Sequence, residues 1–240
     1  MSPAATRRGF DIEDHKRFSE TSVEKLRIAQ LEIQWLLDRG YKEGPLVDFV
    51  GGHYQLSLRQ RNALKRATCT KIQYEKRKST MLSIEDAKDG CLIIDGFNLI
   101  ISLEVALSRS VIILGTDGVL RDLAGLRGSY KIIEQTDRAL EILGKSLNRL
   151  SVPEVRILLD APVSNSGQLR NRILEHALDW RIPVDVELVP NADVVLSNME
   201  RIVTGDSVLL DQCNSWINLC REIVENYIEN AWIIKLCAID

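Results

Sequence analysis

The sequence predicts an α/β fold, a three-layer sandwich with a mostly parallel sheet, preceded by a small helical domain. Three observations carry this expectation. Beyond residue 88, short runs that are apolar throughout alternate with segments of helical periodicity, the pattern of a parallel sheet covered on both faces. Before residue 88 the periodicity is helical only. The charge divides at the same point: residues 1–88 hold 17 Lys/Arg against 12 Asp/Glu, and residues 89–240 hold 14 against 22. The overall net charge of −3 therefore hides a basic helical domain (1–88) and an acidic α/β domain (89–240) with different jobs.

Residues 1–20 are polar and expected to be loose. Val23, Leu26, Ile28, Leu31, Ile33, Trp35, Leu36 and Leu37 recur at helical spacing, with Ser22 as N-cap and Gly40 as the stop. A second apolar stretch, Pro45 to Val50, is expected to end at Gly51-Gly52, and Ser57 to cap a third helix carrying Leu58, Leu64 and Ala67. In the back half, strands are expected at 91–94, 111–114, 155–159, 184–189, 202–203 and 232–236. Helices are expected at 99–107, 136–150, 168–180 and 215–228. These strands read as members of one sheet.

Composition excludes several classes. The longest stretch free of Asp, Glu, Lys and Arg is ten residues, Phe49 to Leu58, against roughly 20 apolar residues for a membrane-spanning helix. Arg7 and Arg8 are not followed by an apolar core, so no secretory signal is expected. The five cysteines (Cys69, Cys91, Cys213, Cys220, Cys237) form no C-x-x-C pair, and His15, His53 and His176 are scattered, which argues against a zinc site. Reduced thiols in a cytoplasmic protein are expected.

In open α/β sheets the ligand site lies beyond the carboxyl ends of the strands. Asp95 follows Leu92-Ile93-Ile94, Asp160 follows Ile157-Leu158-Leu159, and Asp206 follows Ile202-Val203-Thr204-Gly205, while Asp193 lies just past the strand 184–189. If these strands are neighbours, the carboxylates converge, repel one another and need a counter-charge. Oxygen-only ligands without His or Cys point to Mg²⁺ or Mn²⁺, ions that activate water and stabilise a phosphate under attack. The alternative for each Asp is a helix cap. Asn98, three residues after Asp95, is placed either to orient that carboxylate or ligand or simply to start a helix. Thr204 and Ser207 flank Asp206 at an expected helix N-terminus, where hydroxyls and N–H groups favour phosphate.

Two patterns mislead. Gly115-Thr116-Asp117-Gly118 suggests a haloacid-dehalogenase phosphatase, but the nucleophilic Asp that this chemistry needs is replaced by Gly115. Gly125 to Lys131 lacks the spacing and Lys-Ser/Thr end of a P-loop. It is read as an ordinary turn or as a phosphate-contacting loop acting through Arg127 and Lys131.

Together the acidic segments resemble the PIN-like nucleases, especially the NYN branch. Ile93-Ile94-Asp95-Gly96-Phe97-Asn98 is similar to that branch's first motif, Leu158-Leu159-Asp160 to its middle strand, Asn191-Ala192-Asp193 to its Ala-Asp segment, and Thr204-Gly205-Asp206 to its last motif. The whole chain also resembles an uncharacterised archaeal family with a DUF434-type front and a PIN-like back. The resemblance implies metal-dependent hydrolysis of RNA phosphodiester bonds. It implies Asp95, Asp193 and Asp206 as metal ligands, Asp160 as another, and Asn98 as an orienter of substrate or ligand. Asp117 or Asp122, in the additional strand-and-loop 111–131, is either a replacement for an acid that other members carry on an early helix or a solvated loop residue.

The segment His53 to Lys78 holds Arg59, Arg61, Lys65, Arg66, Lys71, Lys76, Arg77 and Lys78 against the lone acid Glu75, with Tyr54 and Tyr74 available for stacking. Such density suits an RNA backbone, and a basic arm beside an acidic site offsets the repulsion between that site and RNA. The simpler alternative is a solvated helix face. The leading expectation is a Mg²⁺- or Mn²⁺-dependent ribonuclease, with Arg59, Arg61, Lys65 and Arg66 presenting RNA. An inactive PIN-like module for RNA or protein binding is the second, and a small-molecule phosphohydrolase the third. Helix 22–37, with Trp35 near its end, is left to pack on the α/β domain or on a second copy in a homodimer.

Overall fold

The computed structural model describes residues 6–125 and 128–236. The chain opens with a short helix, α1 (Asp14–Arg17), and four longer ones: α2 (Glu20–Leu37), α3 (Glu43–His53), α4 (Leu58–Ala67) and α5 (Lys71–Thr80). Ser19, not Ser22, caps α2: its hydroxyl accepts from the Ser22 N–H, because the apolar periodicity begins one turn after the helix does. Ser57 caps α4 as expected, in a reciprocal box with Gln60. Gly51-Gly52 does not end α3, which runs through to His53. A Cβ on Gly51 would sit 2.6 Å from the Arg61 guanidinium, so this glycine serves the packing of α3 on α4 rather than a turn.

The back half follows as β1 (Leu92–Asp95), α6 (Gly96–Leu107), β2 (Val111–Leu114), β3 (Leu120–Asp122), α7 (Glu134–Arg149), β4 (Val155–Asp160), α8 (Ser166–Ala177), β5 (Val184–Val189), α9 (Ala192–Leu196), β6 (Ile202–Val203), α10 (Ser207–Gln212), α11 (Leu219–Tyr227) and β7 (Trp232–Lys235). The fold is α/β with a mostly parallel sheet, but the strands divide between two sheets. The main one is all parallel, in the order β5-β4-β1-β6, and the smaller one has the order β3-β2-β7. β7 pairs with β2 rather than with the main sheet, and β3 returns antiparallel to β2.

The alternation of side chains explains the split. In the main sheet, Leu92 and Ile94 of β1 and Val155, Ile157 and Leu159 of β4 face the core built with α6, α7 and α8. Leu158 and Ile202 face the other way, onto α9, α10 and Trp216. In β2, Ile112 and Leu114 join the first core, whereas Val111 and Ile113 meet Leu26, Ile33, Val47 and Leu64 of the helical front. The front thus shares its core with β2 and β7. α6 lies between the two sheets, and every residue from Gly96 to Ala106 except Asn98 is buried. Among the described residues no helix is long and apolar enough to cross a membrane. Cys69, Cys91, Cys213 and Cys220 are free thiols; Cys237 lies outside the described residues.

Candidate active site

Three of the expected acids stand on three neighbouring strands. β1 lies between β4 and β6, with Asp95 level with Leu158 and Ile94 level with Val203. Asp95 and Asp160 therefore end adjacent parallel strands, and Asp206 follows the third after Thr204-Gly205. The sequence at β1 allows this closeness. A Cβ on Gly96 would sit 2.6 Å from Leu159 Cδ2 and 2.9 Å from the Leu158 carbonyl oxygen, so only glycine lets α6 start directly above β4.

Asp95 is the centre of the local network. Its Oδ2 accepts from Thr204 Oγ1 at 2.8 Å, and its Oδ1 accepts from the Asn98 N–H at 3.4 Å. Asn98 Oδ1 in turn accepts from the Gly205 N–H at 2.6 Å, and Thr204 Oγ1 accepts from the Asp206 N–H at 3.1 Å. Asn98 and Thr204 thus lock the β1 and β6 ends together. Thr204 is buried and committed to Asp95, so it positions that carboxylate rather than meeting a substrate. Ser207, half-buried, opens α10.

The other acids also hold backbone groups. Asp160 Oδ1 accepts from the Ala192 N–H at 2.8 Å, drawing α9 to the end of β4. Asp206 Oδ1 caps α10 by accepting from the Val208 and Leu209 N–H groups at 2.8 and 3.1 Å. Asp193 lies in the first turn of α9. The expected capping role is therefore real for Asp95 and Asp206, whereas Asp160 ties a distant helix to β4 and Asp193 lies inside α9, which Asn191 caps. These bonds leave Asp160 Oδ2, Asp206 Oδ2 and both Asp193 oxygens without a hydrogen-bond partner among the described residues.

The electrostatics are those of acids without counter-ions. The ion pairs among the described residues include none of the four carboxylates. Burial pushes the Asp95 carboxyl up to about 7, against the pull of Thr204 and Asn98 and with added repulsion from Asp193 and Asp206. Asp193 is also raised, by burial and then by Asp206 and Asp160. In donor chemistry the four acids fit a hard divalent cation. They are not pre-assembled around one: among the described residues no three His, Cys, Asp or Glu stand close enough together to hold a metal ion.

Of the expected basic residues, Arg59 does not face outward. Its guanidinium makes a two-pronged pair with Asp14 (2.6 and 2.7 Å) and donates to the Leu123 and Gly9 carbonyls. The structure therefore spends Arg59 on fastening α1 and the N-terminal segment to α4. Arg61 donates to the Leu56 carbonyl and pairs with Asp48 at 3.3 Å. Lys65, Arg66, Lys71, Lys76 and Lys78 make no ion pair among the described residues, and all are exposed except half-buried Lys65. Lys131 is exposed on a loop that pairs, through Ser129, with Ser164 after β4. Arg127 lies outside the described residues.

Asp117 and Asp122 are neither solvated nor among the site carboxylates. Asp117, its side chain 2% exposed, is paired with Arg121 and Arg77, each at 2.6 Å, and these guanidinium groups hold its carboxyl below the usual range. Asp122 is buried and accepts from the Ala124 N–H and from Ser102. The Asp117 network reaches the site by another route. Arg121 Nε donates to the Gly205 carbonyl at 2.7 Å, and Arg77 Nη2 donates to the Ser207 carbonyl at 3.2 Å. These two arginines grip the backbone on both sides of Asp206. Arg77 also pairs with Asp211 of α10 at 2.7 Å, so the basic helix α5 is clamped beside the acidic edge. Nothing along the chain signals this role, since Arg77 and Ser207 are 130 residues apart.

Comparison with known proteins finds two family matches along the chain. Residues 84–222 match the family described as "Domain of unknown function (DUF5616)", and residues 25–80 match the one described as "Protein of unknown function (DUF434)". The chain is 36% identical over 193 residues to "Uncharacterized protein MJ0935" of Methanocaldococcus jannaschii, covering 80% of this chain and 91% of the relative. No solved structure matches. With more than half its length matched and a relative aligned over most of both chains, the protein belongs to the DUF5616 family and carries a DUF434 segment ahead of that domain.

Proposed function

We propose that the chain is a PIN-like, NYN-type ribonuclease that hydrolyses RNA phosphodiester bonds at the carboxyl edge of its main sheet, with Mg²⁺ or Mn²⁺ as cofactor. The observation that carries this reading is a set of aspartates at the ends of adjacent parallel strands, without an ion-pair partner among the described residues, with Asp95 buried and Asp193 and Asp206 repelling it. Asp95 and Asp206 would hold the ion, with Asp160 and Asp193 completing the set. A divalent cation there supplies Lewis acidity and lowers the pKa of water. The chain's own residues do the rest. Thr204 and the Asn98 N–H fix the Asp95 carboxylate, and Asn98 Oδ1 holds the Gly205 loop. Asn98 Nδ2, without a partner among the described residues, is the donor for a phosphate oxygen. Arg77 and Arg121 keep the Asp206 loop in place from below.

The exposed lysines of α5, Lys71, Lys76 and Lys78, with Arg66 at the end of α4, would gather RNA beside an edge that otherwise repels it. Clamping of α5 to α10 supports their nearness to the site. The test is cleavage of a labelled single-stranded RNA with and without Mn²⁺. Cleavage is expected only with the metal, and Asp95→Asn or Asp206→Asn should abolish it while the fold persists. Cleavage undiminished in both variants overturns the assignment. A second reading, an RNA-binding module without catalysis, is favoured by the backbone N–H groups that Asp95, Asp160 and Asp206 hold and by the lack of a pre-assembled ligand group among the described residues. It predicts salt-sensitive RNA binding with no cleavage and no stabilisation by Mn²⁺.

A further inference from the structure

The end of β6 does not by itself place Asp206. β6 pairs with β1 only at Ile202 and Val203, three residues short of Asp206, and α10, which Asp206 caps, has six residues. The position of this carboxylate therefore depends on what holds the backbone from Thr204 to Ser207. Gly205 is confined between two elements: a Cβ there would lie 3.1 Å from both Asn98 Oδ1 and the Leu120 carbonyl oxygen. Its N–H donates to Asn98 Oδ1, and its carbonyl accepts from Arg121 Nε at 2.7 Å. On the other side of Asp206, the Ser207 carbonyl accepts from Arg77 Nη2 at 3.2 Å. The carbonyls of both neighbours of Asp206 thus take a charge-assisted donor, the stronger kind of hydrogen bond.

The two arginines come from different halves of the chain and share one buried anion. Arg77 belongs to α5 of the helical front and Arg121 to β3; both side chains are 3% exposed, and both pair with Asp117. The seam between the halves closes around this group. The Thr116 N–H donates to the Ala67 carbonyl at 2.7 Å, and Arg121 Nη1 to the Arg66 carbonyl at 3.2 Å, both at the end of α4. Asp117 and Asp211 supply the counter-charges. The guanidinium groups therefore hold the loop by its backbone and leave the Asp206 carboxylate without an ion pair among the described residues. A planar fork of donors spans a carboxylate and a carbonyl at once, which the compact ammonium of lysine does not. Such support fixes a carboxylate for a cation without neutralising it.

We propose that the helical front is a constituent of the acidic site: Arg77 and Arg121, joined through Asp117, are positioning residues that set the Asp206 carboxylate. The proposal rests on reading the acidic edge as the functional site, and a metal-free measurement separates the two. Amide exchange with water, followed by NMR on the full chain without metal, reads the Val208 and Leu209 N–H groups that donate to Asp206 Oδ1. In Arg77→Lys and in Arg121→Lys both should exchange roughly tenfold faster, while the Ala192 N–H, bonded to Asp160, keeps the parent's rate. Mn²⁺ affinity, read by calorimetry, should fall roughly tenfold in the same variants. Parent-like exchange at Val208 and Leu209 in either variant would overturn the proposal. So would an equal rise at Ala192, or loss of the fold in both variants, since the arginines would then be general supports of the fold. Mn²⁺ bound with undiminished affinity by both variants overturns the positioning role and spares the metal assignment. A parent that binds no Mn²⁺, with the local amide response present, sinks the metal assignment and upholds the positioning role.

Discussion

Removing the Asp95 charge should make the metal-free protein more stable at alkaline pH. Burial and neighbouring acids carry this carboxyl from its ordinary 3.8 to about 7. An acid whose pKa is raised on folding opposes folding. The penalty is complete above pH 7, shrinks as pH falls towards 4, and is gone once the group is protonated in both states. At pH 8 it amounts to about 4 kcal/mol. Asp95→Asn removes the charge but weakens the bonds from Thr204 and the Asn98 N–H, a loss of about 2 kcal/mol. The net gain of about 2 kcal/mol corresponds to a melting temperature higher by roughly 4–8 °C in a chain of this size. Calorimetry of both proteins in a chelating buffer at pH 8 and pH 5 checks this. The variant should lead at pH 8 and lose its lead at pH 5. A variant less stable than the parent at both values would refute the reasoning and make Asp95 a helix cap and nothing more.

Other consequences follow from the same geometry. Arg77→Met leaves Asp117 buried with one arginine instead of two and frees Asp211, which should cost about 3 kcal/mol in urea unfolding; a loss below about 1 kcal/mol would show that the network is not holding the α5–α10 contact. Asp14→Ala strips the half-buried guanidinium of Arg59 of its buried two-pronged partner and should destabilise by about 2 kcal/mol. A much smaller change in the urea midpoint would return Arg59 to the surface. Charge reversal of Lys71, Lys76 and Lys78 should weaken RNA binding and flatten its dependence on salt, while leaving Mn²⁺-induced stabilisation intact. Binding titrations at several salt concentrations read the first effect, and melting curves with Mn²⁺ the second.

What the sequence made legible was whatever is encoded locally. Asp95, Asp160 and Asp206 could be placed at strand ends because each closes an apolar run, and Ser57 could be placed as a cap because its partner Gln60 is three residues away. Contacts between distant residues stayed hidden. Arg59 looked like part of a basic arm because Asp14 is 45 positions earlier, and Asp117 looked like a loop acid because Arg77 is 40 positions earlier. The division into two sheets was invisible for the same reason: β7 finds β2 across most of the α/β half. Local rules also failed where packing overrode them. Gly51-Gly52 reads as a stop, yet α3 continues to His53, and Gly51 is glycine because Arg61 of α4 occupies the space a side chain would need. At the site, the acids were readable one by one, but the arginine grip around Asp206 was not.

The proposed function requires Asp95, Asp160, Asp193 and Asp206 to serve a divalent cation rather than only backbone N–H groups. A crystal structure with Mn²⁺, using the anomalous signal of the metal, tests it most directly. A peak bound by Asp95 and Asp206 is expected, and it should disappear in Asp95→Asn. An edge that stays free of metal at saturating Mn²⁺, with the backbone hydrogen bonds of all three strand-end aspartates unchanged, would contradict the proposed function.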